Sequence, residues 1–489
     1  MNAESPGPDV VVVGGGNAGF CAAHAAAEHG RRVVLLEAAT RDLAGGNSYY
    51  TAGATRMVHA GLDDLRDVVE PDERHPTTTV PPYSAADFTG DLEKVTEGRN
   101  DPRMTEIVVG ESSDTVRWLA GKGVRYRLMY ERQAYARDDG YLFWGGLHVG
   151  NVNGGIGLIA DHTRIAADEG VDVRYGHRVT GLLTDDEGVV GVRYTTENGE
   201  DGELLAASVV LTSGGFESSA TMREEHLGPG WARAKVRGTP YNTGELLLAA
   251  LELGATRGGD WSTCHSVAWD ALAEHNESNR ELTNRLTRQS YPLGIVVNSE
   301  GRRFVDEGAD FRNYTYAKYG REILRQPGSI AYQIFDADLR PLLRSEEYDM
   351  PGVSVVQADS LEELARDIIV DPAALAATVK EFNASIEGGP LDPTVKDGRR
   401  AVVTPPKSNW ASPIATAPFY AYPVTCGITF TFGGLRGDDD GRVLRPDGSA
   451  IPGLFAAGEA LGGLFSGNYP GGSGLTAGMV FGRRAGSVA

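Results

Sequence analysis

Residues 10–13 are four valines with no polar position between them. A strand with one wet face alternates, so this run predicts a strand buried on both faces, as in a parallel sheet. Gly14, Gly16 and Gly19 follow at G-x-G-x-x-G spacing, and the alanine-rich run from Phe20 to His29 predicts a helix that Gly30 ends. Arg32–Leu36 is a second apolar strand, closed by the acid Glu37. Residues 63–82 are charged and proline-bearing without any period, which predicts a surface excursion. Helices are expected at 85–96 and 102–122; in the second, Ile107, Val108, Val116, Trp118 and Leu119 recur on one side and Gly121 and Gly123 stop it.

A fourth helix is expected at 154–169, then a strand at 171–175, then a hairpin of 179–184 with 189–195 around Asp185-Asp186-Glu187-Gly188. Ser208–Leu211 repeats the apolar texture of the first strand, runs into Gly214-Gly215, and is expected in the same sheet. From Trp261 the runs become mixed, with more aromatics and arginines. A hairpin is expected at 294–306 with Ser299-Glu300-Gly301 at its tip, and helices at 361–369 and 372–386, the latter with Asp371 as N-cap and Pro372 behind it. Pro405, Pro406, Pro413 and Pro418 mark a return crossing, after which Gly453–Glu459 reads as a strand and 475–485 as a final helix. The pattern is α/β: a nucleotide-binding domain of residues 1–260 and 425–489, interrupted by a second domain of residues 261–424.

Composition changes this picture little. The 489 residues are too many for one core, and a net charge of −21 lacks the basic footprint that nucleic acid or an anionic membrane surface requires. Residues 460–482 carry no formal charge, yet their glycines, serines, Asn468 and Pro470 make them too polar to span a membrane. Cys21, Cys264 and Cys426 have neither metal-ligand nor redox spacing, no metal site is expected, and their sparse, odd count fits a reducing cytoplasm. Met1–Asp9 is acidic, with no basic start or apolar run, and reads as a tail rather than a signal peptide.

The opening strand, glycine turn, helix, second strand and acid together suit an adenine dinucleotide. Gly14, Gly16 and Gly19 let backbone approach a pyrophosphate at a helix N-terminus, and Glu37 accepts from a ribose hydroxyl. Gly45-Gly46-Asn47-Ser48, then Thr51 and Gly53, are small and hydroxylated, as backbone passing a flat ligand would be.

In order and spacing these segments resemble the FAD-dependent fumarate reductase/succinate dehydrogenase flavoprotein superfamily. The matching pieces include Thr212-Ser213-Gly214-Gly215-Phe216, Gly301 through Glu307 and Gly453 through Glu459. Asp306 through Tyr314 and Asn468 through Gly474 look most like its tricarballylate dehydrogenase branch. The resemblance implies a Rossmann-like, glutathione-reductase-like FAD-binding domain interrupted by an α+β capping domain. It implies an FAD enzyme that desaturates an activated CH–CH bond, or reduces the alkene, of a tricarballylate-like polycarboxylate by hydride transfer to flavin N5. It adds Asn17, Ala18, Ala38, Val179, Ser213, Gly214, Gly215, Gly458, Glu459, Ser473, Gly474 and Leu475 to the cofactor-binding residues. FAD is expected to be noncovalent, since Ser48-Tyr49-Tyr50-Thr51 has no histidine.

The same resemblance makes Arg312 the first catalytic candidate, as proton shuttle or as carboxylate clamp. The spacing departs from the family, with Arg312 five residues after Glu307. His265 stands near a substrate-binding histidine, without the usual Pro-Thr after it, and is either that ligand or structural. Tyr469 replaces a carboxylate-binding arginine and is shared with 3-ketosteroid dehydrogenases, and Phe430 replaces a carboxylate-binding histidine. Tyr314, Tyr316 and Tyr319 line a cleft or fill a core. Two alternatives stay open: a ketosteroid-like or secondary-metabolite desaturase in which Tyr469 polarises a carbonyl, and a non-catalytic FAD-binding electron-transfer or regulatory protein. The partner is a small-molecule substrate; the electron acceptor is unassigned.

Overall fold

A computed structural model describes residues 7–137, 140–273 and 279–489; most of the expected tail, residues 1–6, lies outside them. The chain forms two compact units. The first runs to Pro229 and adds Gly238–Cys264 and Phe430–Ala489; the second is Gly230–Arg237 with His265–Thr429.

In the first unit the valine run is β1 (Val10–Val13), with all four residues buried. Helix α1 (Asn17–Glu28) follows, then β2 (Val33–Leu36), β3 (Asp172–Arg174), β4 (Ser208–Leu211), β5 (Arg442–Leu444) and β6 (Ala450–Ala456). They form one sheet in the order β5-β6-β4-β1-β2-β3. Every neighbouring pair is parallel except β5 with β6 at the edge. Val10 pairs with both Ser208 and Val33, so the two runs of matching texture do lie side by side. The last helix, α2 (Ser473–Val488), packs along α1. Their contact depends on glycine: a Cβ on Gly482 would lie 2.4 Å from the Ala18 carbonyl oxygen, and one on Gly486 2.1 Å from that of Ala22.

The expected hairpin is present as His177–Thr184 against Val189–Thr196, with a third strand, Asp201–Leu205, beyond it. Helices at Ala85–Thr96, Pro102–Lys122 and Gly154–Asp168 stand where the pattern put them. The reading of 63–82 as a surface excursion is wrong. Leu65, Val68, Val69 and Val80 are buried against Met57, Tyr126 and Phe143. Short 3₁₀ turns at Asp63–Leu65 and His75–Thr77 deliver these residues inward, and such turns leave no hydrophobic period to detect.

In the second unit Ala331–Phe335 pairs antiparallel with Ile295–Asn298 on one side and with Ala421–Val424, within the strand Phe419–Leu435, on the other. The expected 294–306 hairpin is reduced to a turn, in which Asn298 N–H donates to Arg302 at 2.9 Å and Val297 bridges Arg303. The partner that carries the sheet is Ala331–Phe335, because Arg303 is drawn into a buried ion pair with Glu307. Helices Leu361–Asp367 and Pro372–Ala384 cover a core that includes Ile334, Phe335, Leu364, Leu375 and Phe382.

Candidate cofactor and catalytic site

The first unit gathers its candidate residues at the carboxyl ends of the parallel strands, where open α/β sheets hold ligands. The glycine turn follows β1, Glu37 follows β2, Ser213-Gly214-Gly215 follows β4, and Gly458-Glu459 follows β6. The turn is held by contacts that admit no side chain. A Cβ on Gly14 would lie 2.5 Å from the Thr212 carbonyl oxygen, and one on Gly19 1.9 Å from that of Gly14. Thr212 donates to Val13 at 2.8 Å and to Gly14 at 3.0 Å, binding β4 to the turn.

Glu37 is buried, and its carboxylate accepts from the Gly15 N–H at 2.7 Å and the Ala39 N–H at 2.8 Å. The N–H of His177 donates to the Glu37 carbonyl at 2.9 Å, so the strand carrying buried Val179 starts beside β2. Ser48 Oγ accepts from the Asn17 N–H at 3.0 Å, which ties Gly45–Ser48 to the start of α1. Thr51 Oγ1 donates to the Ser48 carbonyl at 2.9 Å and accepts from Gly53 at 3.0 Å. Gly16 and Gly46 face each other as bare backbone: a Cβ on Gly46 would meet only Gly16 Cα, at 3.9 Å.

Whether these residues suit a dinucleotide is decided by their donors. Among the described residues, the N–H groups of Ala18 and Gly19 in the first turn of α1 have no protein acceptor, and neither do those of Gly474 and Leu475 in the first turn of α2. Two helix N-termini therefore offer positive, donor-rich ends, one beside the glycine turn and one beside Tyr469. They fit the pyrophosphate and the electron-rich end of a flavin. The Gly471-Gly472 turn before α2 is braced by the fully buried Arg56, which donates to the Gly471 carbonyl at 2.9 Å and to Asp91 at 2.7 Å.

Around Gly474 the surroundings are aromatic. Phe430 and Tyr469 meet edge to face at 5.2 Å, Phe465 packs on both, and Phe432 completes the group. A Cβ on Gly474 would lie 3.7 Å from Phe430 and 3.8 Å from Tyr469.

One feature of the cradle, Glu217, had no precursor in the pattern; another, Glu459, was expected there but its partners were not. Glu217, just beyond the double glycine, is fully buried and its Oε1 accepts from Asn47 and Asn242, each at 2.6 Å. Glu459 Oε1 accepts from the Thr431 N–H at 2.6 Å and from its hydroxyl at 3.0 Å. The two carboxyl groups lie close enough to feel each other's charge, and Glu217 Oε2 is buried with no hydrogen-bond partner among the described residues. Burial pushes both up, and Glu459, facing the charge of Glu217, is raised well above the usual carboxylate range and keeps the proton. An acid two residues after Gly215 was the one available signal for Glu217.

The second unit carries Arg312 and His265. Arg312 opens a single 3₁₀ turn, is half-buried, and donates to Gln289 Oε1 at 3.1 Å; the Gln289 N–H is held by Glu347 at 2.8 Å. His265 is fully buried, its ring edge-on to Tyr316 at 5.0 Å. Burial, with the nearby Arg237 charge, holds it well below its ordinary pKa and therefore neutral. Tyr319 is core, packed on Tyr291 at 4.5 Å, whereas Tyr314 and Tyr316 are half-buried. Glu307 is spent internally, accepting from the Val296 N–H at 2.8 Å and pairing with Arg303. Arg312 and His265 thus lie in the second unit and Tyr469 in the first.

The family described as "FAD binding domain" matches residues 9–475. The chain belongs to this family. It falls within the fumarate reductase/succinate dehydrogenase flavoprotein superfamily, and its cofactor is FAD. It is 29% identical over 484 residues to a probable fumarate reductase of Shewanella frigidimarina, covering 98% of this chain and 74% of that protein. It is 31% identical over 374 residues to a 3-oxosteroid 1-dehydrogenase of Mycolicibacterium smegmatis, covering 69% of this chain and 63% of that protein. The open form of a flavocytochrome c3 fumarate reductase superposes with a TM-score of 0.73 at 28% identity, covering 99% of this chain and 78% of that one. Among the described residues no helix is long and apolar enough to cross a membrane.

Proposed function

We propose that this protein is an FAD-dependent oxidoreductase acting on a CH–CH bond beside a carbonyl or carboxyl group. The observation that carries the reading is the first turn of α2, whose unaccepted Gly474 and Leu475 N–H groups lie beside the Phe430–Tyr469 pair. FAD, held noncovalently since Ser48–Thr51 offers no histidine, supplies a two-electron acceptor. Gly14, Gly16, Ala18 and Gly19 receive its pyrophosphate, Glu37 its ribose, and Gly45–Ser48 and Ser213–Gly215 its length. The second unit, as the substrate-handling domain, contributes Arg312, which moves the proton or clamps a carboxylate, with Gln289 fixing its guanidinium. Neutral His265 serves as a hydrogen-bonding group rather than a cation.

The aromatic group around Gly474 favours a substrate with an apolar cyclic body whose ketone takes a hydrogen bond from Tyr469. The likeness to a 3-oxosteroid 1-dehydrogenase supports this reading. A tricarballylate-like polycarboxylate is the second reading, favoured by the half-buried Arg312 and by the Asn468–Gly474 motif. The buried thiols of Cys21, Cys264 and Cys426 support a reducing, cytoplasmic setting. An anaerobic screen of cyclic ketones against tricarballylate, following the flavin's visible absorbance, separates the two. Bleaching by a cyclic ketone and not by tricarballylate is expected; bleaching by tricarballylate alone overturns the ketone reading.

A further inference from the structure

A chain of buried polar groups in the first unit leads from its surface to both helix N-termini. Glu169, with a side chain 21% exposed, accepts at Oε1 from Lys122 at 2.7 Å. Its Oε2 lies 2.6 Å from His24 Nδ1; His24 Nε2 lies 3.1 Å from His162 Nδ1; and His162 Nε2 lies 3.1 Å from Asn17 Oδ1. The other end of the Asn17 amide, Nδ2, donates to the Leu475 carbonyl at 2.9 Å. Both imidazoles are fully buried, and Phe20 stacks on them at 6.1 and 5.3 Å.

Proton counting fixes the state of this chain. A carbonyl can be faced only by an N–H, so Asn17 presents its amide hydrogens to Leu475 and its oxygen to His162. The chain then has an acceptor at each end, a carboxylate and an amide oxygen, and three contacts that each need a hydrogen. Two neutral imidazoles carry only two. One imidazole is therefore cationic. His162 is buried without a carboxylate partner and is held well below its ordinary pKa, so the charge sits on His24, paired with Glu169. An amide does not pass a proton onward, so the chain transmits orientation rather than protons.

We propose that Glu169, His24 and His162 are positioning residues for the FAD cradle: the His24 imidazolium, held by Glu169, fixes the amide of Asn17 so that it clamps the first turn of α1 to the first turn of α2. In E169Q the extra proton loses its counter-charge. The glutamine amide introduced there then supplies the missing hydrogen: it donates to His24 Nδ1, two neutral rings satisfy the other two contacts, and Asn17 keeps its orientation without the cation. H162F instead removes the donor to Asn17 and breaks the clamp while keeping the stack on Phe20.

The test uses FAD titration of the apoprotein, read by quenching of flavin fluorescence, with nitrogen NMR of histidine-labelled protein. In the wild type, one histidine with both ring nitrogens protonated is expected, absent from an H24Q control and lost in E169Q. H162F, folded by circular dichroism, is expected to bind FAD about 5–30-fold more weakly, whereas E169Q, whose amide keeps the clamp, is expected to bind within about twofold of wild type. A wild-type His24 with a bare ring nitrogen overturns the proposal, and so does FAD binding within about twofold of wild type in folded H162F, or FAD binding by E169Q as weak as that of H162F. A wild-type protein that fails to bind FAD overturns the cradle on which the proposal rests.

Discussion

Glu459 faces the fully buried Glu217, and the two repel when both are ionised. Because the Glu459 pKa is raised in the folded protein, its stabilisation is complete below the ordinary carboxylate range and is lost as pH rises through the raised value. Between the ordinary carboxylate range and that raised value stability is expected to fall by about 1.4 kcal/mol per pH unit, seen as a declining Tm, and to level off above it. E217Q removes the charge that faces Glu459, so its Tm should be flatter with pH than the wild type. Arg312 carries the proton-handling assignment, and Arg312→Ala is expected to lower kcat/KM by about 10²–10⁴ without loss of bound FAD. Of these residues, the glycines and Glu37 were legible because the turn's geometry is local to a few positions. The carboxyl pair was not, since only the folded chain brings Glu217, Asn242, Thr431 and Glu459 to Asn47. Nor were the partners of the Asn17 side chain, His162 and the Leu475 carbonyl, which are far away in sequence.

Between elements, the closest packing is α1 against α2, and it inverts the usual rule for glycine in a helix. Gly110, in the helix Pro102–Lys122, is exposed and a Cβ there would meet nothing within 4 Å. Gly110→Ala should therefore stabilise by about 0.5–1 kcal/mol through helix propensity. Gly482→Ala sets a Cβ 2.4 Å from the Ala18 carbonyl oxygen and should instead destabilise by about 1–3 kcal/mol, because backbone has to move. Chemical denaturation of the two variants gives both signs. Long periodic helices and all-apolar strands were legible because burial imposes their pattern directly. Residues 63–82 were not, because short turns bury Leu65, Val68, Val69 and Val80 without a repeat.

For the whole chain, the order of apolar strands and glycine turns was enough to read a parallel sheet carrying a dinucleotide. The strand order β5-β6-β4-β1-β2-β3, which brings residues after β1, β4 and β6 together, came only from the fold. FAD binds the folded chain and not the unfolded one, so at a hundredfold excess over Kd it should add about 2.7 kcal/mol of stability, measured as a rise in Tm on titration.

The central claim is that a C–H bond beside an activating carbonyl or carboxyl group is broken while the protein holds FAD. Stopped-flow bleaching of the flavin by a substrate deuterated only at the β-carbon, mixed without oxygen, tests it most directly. The account predicts a several-fold slowing relative to the protiated substrate. A bleaching rate indifferent to that deuterium would contradict it.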